Sequence, residues 1–177
     1  MRVFAVVGPG QSGKDYAREW LVENAGFRAP CCTSRFAAPV VWSHWHMDNG
    51  LRHVALPTEG AIEEFWSRRR EHREYWAAVM WAYNWSNGSG CRLYRDMVDA
   101  RHDLLVGIRR RDELKACVVE GIVTDIIAIR GGEPDPTYEL GDLASLNVPV
   151  WRVDNQAKNP EAFDTRMRQL IEAIFSP

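Results

Sequence analysis

The sequence has little lysine and no excess of basic charge. Only three of its 22 basic residues are lysines, at Lys14, Lys115 and Lys158, and the other 19 are arginines. Because 24 acidic residues bring the formal net charge to −2, a protein that coats nucleic acid through a uniformly basic surface is excluded. A local basic patch is still compatible with this balance.

Long hydrophobic runs and paired cysteines are also lacking. No stretch approaches the roughly 18 uninterrupted apolar residues of a membrane span, so we expect no membrane partner. The opening run 1–7 is too short for a signal peptide, and none of the four cysteines forms a C-x-x-C pair. The simplest interpretation is a cytoplasmic protein with reduced thiols. With 177 residues, 46% of them apolar, we expect residues 1–177 to form a single domain.

Short apolar segments alternate with helical patterns along the chain. We predict about five strands, at residues 3–7, 28–33, 104–108, 122–129 and 148–153. Helices are predicted at 14–24, from Ser34 onwards, and at 60–85, 91–101, 111–120 and 160–175. Buried strands separated by helices are typical of the α/β class, with a parallel sheet covered by helices on both faces.

The strongest functional signal is a glycine-rich segment between the first predicted strand and the first predicted helix. It reads Gly8, Pro9, Gly10, Gln11, Ser12, Gly13, Lys14 and Asp15. The pattern G-x-x-x-x-G-K in this position is typical of a phosphate-binding loop of P-loop proteins. Glycines let successive backbone N–H groups converge on phosphate oxygens, and the helix N-terminus adds positive potential. We therefore predict that these eight residues bind ATP and that Lys14 is catalytic.

The residue after this lysine departs from the usual pattern. Asp15 stands where Ser or Thr normally binds Mg²⁺. A carboxylate is a good Mg²⁺ ligand, directly or through water. We predict that Asp15 holds the metal, and we count it with Lys14 as catalytic.

The pattern G-x-x-x-x-G-K-D resembles the phosphate loop of phage deoxynucleoside monophosphate kinases and related thymidylate kinase-like proteins. SRFAAPVV at 34–41 is similar to their acceptor-side segment. DLLVGIRRRDEL at 103–114 resembles their third-strand segment, and VDNQAKNPEAF at 153–163 resembles their last strand and the loop beside the adenine. The resemblance implies a P-loop kinase with strand order 2-3-1-4-5 that uses ATP and Mg²⁺.

The resemblance also implies roles for residues outside the glycine-rich segment. Arg109, after the third predicted strand, is expected to be catalytic by meeting the acceptor phosphate, while Arg130 and Asn155 are expected to bind ATP. Two departures are visible. The lid, if it is GGEPDPT at 131–137, is short, and no aspartate ends the strand LLVGI. The candidates to replace that missing carboxylate are Asp15, Asp99 and Asp103.

A set of arginines and aromatic residues suggests an acceptor site. Phosphoryl transfer needs positive charge and positioning around the moving group. Arg69 and Arg73 interrupt the apolar stripe of the predicted helix 60–85, so we expect them to face a cleft. Six of the eight tryptophans lie between positions 40 and 85, a composition that suits either base stacking or helix packing. The predicted acceptor-binding residues are Arg35, Asp48, Arg69, Arg73, Trp76, Arg92, Arg95 and Arg110.

Two acceptors are compatible with these features. The chain is similar to compact phage kinases that phosphorylate 5-hydroxymethyluracil in DNA, a step towards hypermodified thymidine, and would then act in the cytoplasm of an infected host cell. The short lid and the arginines among tryptophans favour this DNA acceptor, whereas the slight negative charge does not. The alternative is a kinase for free deoxynucleoside monophosphates. A nucleotide-binding switch without an acceptor is a third hypothesis, against which Lys14 and the arginines argue.

Overall fold

Short runs of aliphatic residues form a parallel sheet. The structure, a computed structural model, describes residues 1–29, 32–50, 57–133, 140–156 and 158–176. Within these residues the sheet has four strands in the order β2-β1-β3-β4, all parallel. The strands are β1 (Phe4–Val7), β2 (Leu104–Val106), β3 (Asp125–Arg130) and β4 (Val150–Asp154). In the central strand, Phe4 lies opposite Leu104 on one side and Asp125 on the other.

Seven α-helices occur in the described part of the chain. The first, α1, ends at Gly26, whose φ of 71° is the left-handed conformation that glycine adopts at low cost. The last begins at Pro160, after Asn159 accepts the N–H of Ala162. The helices are α1 (Lys14–Ala25), α2 (Thr33–Asp48), α3 (Glu59–Ser67), α4 (Arg73–Trp85), α5 (Arg92–Asp99), α6 (Arg111–Val119) and α7 (Pro160–Phe175). None of them is long and apolar enough to cross a bilayer.

Helices cover both faces of the sheet, as predicted. Along β1, side chains alternate between the faces because successive residues of a strand point in opposite directions. Ala5 and Val7 pack with α5 and α6 on one face, and Phe4 and Val6 pack with α1 and α7 on the other. All four are at most 1% exposed, so the centre of the sheet lies between two apolar layers.

Helices α2, α3 and α4 bury a separate set of side chains between them, which one residue of α5 completes. We call α2 to α5 the helical region, and the sheet with α1, α6 and α7 the sheet region. The core of the helical region consists of Ala37, Ala38, Val41, Trp42, Ile62, Trp76, Val79 and Leu93. This core is separate from the two layers on the sheet, and α5 joins the two regions because Leu93 belongs to this core while Tyr94 and Met97 pack on the sheet.

The strand predicted at 28–33 is wrong. Arg28 and Ala29 are irregular, positions 30 and 31 lie outside the described residues, and Cys32 already caps α2. The Thr33 hydroxyl donates to the carbonyl oxygen of Val106 at the end of β2. The Arg28 carbonyl oxygen accepts from the N–H groups of Asp103 and Leu104 at the start of β2. The segment therefore touches the edge of the sheet at both ends of β2, and its described residues form no strand. The order of the other four strands is the predicted one.

The single helix predicted at 60–85 is also wrong, because the chain turns between α3 and α4. Within the turn, the N–H of Glu71 donates to the Arg68 carbonyl oxygen at 2.9 Å, and their side chains form an ion pair. Residues 68–73 contain no apolar side chain to bury, so nothing anchors a continuous helix there. The bend lets both helices place their apolar sides against α2.

Candidate functional site

The glycine-rich loop, residues 8–13, lies at the edge of the sheet where the strands have their carboxyl ends. It connects β1 to α1, and β1 is flanked by β2 and β3. Because the strands are parallel, Arg109 after β2, Arg130 at the end of β3 and Asn155 after β4 reach the same edge. Ligands of open parallel sheets bind outside this edge.

The backbone of this loop leaves several donors unused. Gln11 and Gly13 have φ values of 55° and 94°, and these left-handed conformations fold the loop tightly. Among the described residues, the N–H groups of Gly10, Gln11 and Gly13 donate to no protein acceptor. Such N–H groups beside a helix N-terminus form a surface that suits an anion. The loop can therefore bind phosphate oxygens through its backbone.

Close packing explains two of the glycines. A Cβ atom at Gly8 would lie 2.6 Å from the Ser12 Oγ and 2.7 Å from the Ile129 carbonyl oxygen, and one at Gly13 would lie 2.6 Å from the Asn155 Nδ2. Ser12 is itself 0% exposed, and its Oγ has no hydrogen-bond partner among the described residues. An unpaired buried hydroxyl costs about 1–3 kcal/mol, so this loop is not built for stability alone.

Two predicted ATP-binding side chains contact the loop itself. The Lys14 ammonium donates to the Pro9 carbonyl oxygen at 2.5 Å, so the side chain folds back across the loop. The Asn155 Nδ2 donates to the Ser12 carbonyl oxygen at 3.0 Å. Asn155 thus supports the loop from the β4 side, a contact that the sequence did not predict.

The other predicted ATP and metal residues lie around the loop. Asp15 is exposed on the first turn of α1, and Arg130 is exposed at the end of β3. Arg109 is half-buried three residues after β2. Asp15, Arg109 and Arg130 therefore lie at the same edge of the sheet as the unused N–H groups.

Two of the candidates for the missing carboxylate lie elsewhere. Asp103 precedes β2, at the opposite edge of the sheet, where it forms an ion pair with Arg28 at 3.1 Å. Asp99 ends α5, on the path to that same opposite edge. Of the three aspartates named from the sequence, only Asp15 adjoins the glycine-rich loop.

A carboxylate that the sequence did not point out does reach the loop. The backbone N–H of Glu133 donates to the Gly10 carbonyl oxygen at 3.0 Å, and its Oε2 accepts from the Gln11 Nε2 at 2.9 Å. A Cβ atom at Gly132 would collide with the Gly10 carbonyl oxygen. The adjacent glycines 131 and 132 were a signal of this close approach, but 134–137 of the predicted lid lie outside the described residues.

Two predicted acceptor residues instead connect helices. The Arg35 guanidinium forms ion pairs with Glu59 and Glu63 of α3. Asp48 accepts a 2.6 Å hydrogen bond from the Tyr75 hydroxyl, and burial together with this bond raises the pKa of Tyr75. Both charges thus have partners within the helical region.

Arg69 and Arg73, predicted to face a cleft, lie in different surroundings. The Arg69 guanidinium lies 4.0 Å from the centroid of the Trp66 ring and donates to the Trp66 carbonyl oxygen, while Arg73 is exposed at the start of α4. Trp76 is only 4% exposed and stacks on Phe65 with a centroid distance of 5.4 Å. Trp76 therefore belongs to the core and offers no face to a base.

The tryptophan that does face solvent is Trp81, which is 43% exposed. The Arg110 guanidinium lies 6.0 Å from its ring centroid, and the Trp85 ring lies 6.3 Å away. The Arg92 guanidinium of α5 lies 4.5 Å from the ring centroid of Tyr83, which is on α4 like Trp81. We call Trp81, Trp85, Arg92 and Arg110 the Trp81 surface. Five residues at about 100° each place Trp81 roughly 140° around α4 from Trp76, so the two rings lie on different sides of this helix.

The remaining predicted acceptor residue, Arg95, pairs with another helix. Its guanidinium forms a 2.7 Å ion pair with Glu120, which follows α6. This contact joins α5 to α6. Arg95 therefore connects the helical region to the sheet region.

Comparison with known proteins adds no relative. No protein-family model matches the chain, and a search of the curated proteins finds no significant match. The fold and the site therefore define a class only, an α/β protein with a parallel sheet and an anion-suited loop at its carboxyl edge.

Proposed function

We propose that the protein is an ATP-dependent kinase whose acceptor is a nucleotide, specifically the hydroxymethyl group of 5-hydroxymethyluracil in DNA. One observation carries the kinase assignment. The unused N–H groups of Gly10, Gln11 and Gly13 adjoin Lys14 at the carboxyl edge of a parallel sheet. This combination suits the phosphates of a nucleoside triphosphate.

The residues around the loop fit the charge that such a ligand brings. The backbone N–H groups and Lys14 would hold the phosphates, and Asp15 would hold Mg²⁺ directly or through water. Bound Mg²⁺ would supply neutralisation of the β- and γ-phosphate oxygens. Arg109 and Arg130, from the ends of the two strands that flank β1, would add positive charge where the phosphoryl group moves.

The transfer is a substitution at the γ-phosphorus. The acceptor hydroxyl oxygen forms a bond to the γ-phosphorus. At the same time the bond between the γ-phosphorus and the β,γ-bridging oxygen breaks. The electron pair of the broken bond leaves with ADP, and the hydroxyl proton is released to solvent. Positioning and positive charge provide most of the catalysis for such a reaction, and this is what the loop, Lys14 and the two arginines offer.

The Trp81 surface supports a base as the acceptor. An exposed tryptophan with an arginine over its ring is a platform on which an unstacked base can bind. Arg110 belongs to this surface and lies four residues after the end of β2, next to the start of α6. It therefore connects the base platform with the edge that carries the glycine-rich loop.

The experiment offers γ-labelled ATP and Mg²⁺ to two acceptors in parallel. One is duplex DNA with internal 5-hydroxymethyluracil and blocked ends, and the other is a mixture of free deoxynucleoside monophosphates that includes 5-hydroxymethyldeoxyuridylate. We expect label inside the DNA. Label on a mononucleotide alone would make the protein a nucleotide kinase, and ATP binding without transfer to either acceptor would favour the nucleotide-binding switch.

A further inference from the structure

Glu133 is a charged group at the glycine-rich loop for which the proposed function has no role. Its carboxylate accepts from the Gln11 Nε2, and its backbone N–H is bonded to the Gly10 carbonyl oxygen. Gly132 packs so tightly on the loop that a side chain there would collide with the Gly10 carbonyl oxygen. Backbone contacts therefore hold the main chain of Glu133 against the loop, three residues beyond the end of β3.

A carboxylate at this place needs a cation if phosphates bind beside it. Two like charges a few ångströms apart repel by about 1 kcal/mol in water and by several times more near a protein surface. A metal ion between the carboxylate and the phosphates converts this repulsion into attraction. Mg²⁺ typically takes one or two protein carboxylates and completes its shell with phosphate oxygens and water.

The rest of the site fits a metal with few protein ligands. The described residues contain no group of three or more His, Cys, Asp or Glu side chains that could hold a metal ion, so a metal here would depend on the nucleotide. At the end of β2, Gly107 has a φ of 106° and no carboxylate. The Ser12 Oγ is buried beside Gly8 and has no partner in the described part of the chain.

We propose that Glu133, beside Gly10 and Gln11, is a second protein ligand of the Mg²⁺ that accompanies ATP, in addition to Asp15 on α1. This assignment rests on the proposed function. Without nucleotide, the Gln11 amide holds the carboxylate at the loop. When the metal binds, the carboxylate exchanges the amide for the ion or for one of its waters.

The test compares the wild-type protein with Glu133→Gln, which keeps the shape and an oxygen that can accept from Gln11. The matched control is Glu172→Gln, an exposed glutamate near the end of α7. That end of α7 lies at the opposite edge of the sheet, where Arg2 contacts both Ile174 and Asp125. Calorimetry measures ATP affinity from excess EDTA to millimolar Mg²⁺, and electron paramagnetic resonance measures the binding of Mn²⁺ in the presence of ATP.

We expect Mg²⁺ to raise the ATP affinity of the wild type and of Glu172→Gln. In Glu133→Gln this gain should fall about tenfold, with a matching loss of bound Mn²⁺, while ATP affinity in EDTA stays equal or rises. Tighter ATP binding by Glu133→Gln at every Mg²⁺ concentration, with wild-type Mg²⁺ dependence, would overturn this assignment alone. Absence of ATP binding by the wild type would overturn the proposed function and this assignment with it.

Discussion

The sheet region and the helical region form their candidate surfaces from different parts of the chain. In the sheet region the groups that suit a ligand belong mainly to the backbone, the N–H groups of Gly10, Gln11 and Gly13. In the helical region they are side chains, above all the ring of Trp81. A backbone surface requires a local loop conformation, whereas a side-chain surface requires that several helices pack so as to leave that side chain outside.

Mutagenesis can test whether the two regions have separate functions. If the sheet region binds the phosphates and the helical region binds the acceptor, substitutions in one region should leave the property of the other intact. We expect the largest effect at the glycine-rich loop.

Lys14→Ala should abolish transfer to any acceptor, with a loss of about 10²–10³-fold or more in kcat, because it removes the cation at the loop. Label transfer from γ-labelled ATP measures the effect. The matched control is Lys115→Ala on α6, an exposed lysine, which should retain wild-type activity. More than a tenth of the activity in Lys14→Ala would show that the loop is not the site of the reaction.

Trp76→Ala should destabilise the protein by about 3–5 kcal/mol, since it empties a large volume in the core of the helical region. Urea denaturation measures the change in the free energy of unfolding. Trp81→Ala is the matched control, and we expect it to change stability by only about 0.5 kcal/mol. Equal stability losses in the two variants would contradict the placement of the two rings.

Trp81→Ala should instead weaken binding of DNA that contains 5-hydroxymethyluracil by about tenfold to a hundredfold, because base stacking on an aromatic ring contributes about 1–3 kcal/mol. Trp81→Phe should restore part of the affinity. Fluorescence anisotropy of labelled DNA measures binding, and ATP affinity should not change in either variant. A control at another exposed apolar residue, Val119→Ala, should bind DNA normally. DNA binding that survives in Trp81→Ala would remove the Trp81 surface from the acceptor site.

Glu113 connects the two regions and should make stability depend on pH. This residue of α6 is 7% exposed and accepts a 2.8 Å hydrogen bond from Asn84 of α4. Burial raises the pKa of its carboxyl group. The folded protein therefore keeps this proton at pH values at which the unfolded chain has released it. The contribution of Glu113 to the free energy of unfolding is thus full below the unfolded pKa and is lost as pH rises through the folded pKa.

Glu113→Gln should flatten that decline in the free energy of unfolding, measured by urea denaturation upward from about pH 4. The effect is the smallest of the four because only one group is involved. Glu172→Gln, an exposed glutamate near the end of α7, should reproduce the wild-type profile. A Glu113→Gln profile that falls as steeply as that of the wild type would contradict the raised pKa of Glu113.

Sequence patterns predicted most of the sheet region because its signals are local. The bounds of α7 agree with the predicted 160–175, and α1 exceeds its prediction by one residue. Runs of aliphatic residues indicate buried strands, and Gly26 marks the end of a helix, without reference to the rest of the chain. The position of the glycine-rich loop between β1 and α1 follows from the same patterns.

The errors arose where tertiary contacts decide the outcome. Thr33 binds the end of β2 and starts a helix where a strand was predicted. Periodicity alone could not show that the chain bends at 68–72, and that bend determines the neighbours of Trp76. Glu133 follows a glycine pair after β3, and only the approach of two distant loops reveals its contact with Gln11.

The most direct test of the account is hydrogen exchange of the wild-type protein, measured by mass spectrometry with ATP·Mg²⁺ and, separately, with duplex DNA that contains 5-hydroxymethyluracil. We expect ATP·Mg²⁺ to slow exchange in peptides that cover 8–15 and to leave exchange in 77–90 unchanged. The DNA should do the reverse. Bound ATP that leaves exchange at 8–15 unchanged would contradict the central claim that the unused N–H groups of the glycine-rich loop hold the phosphates.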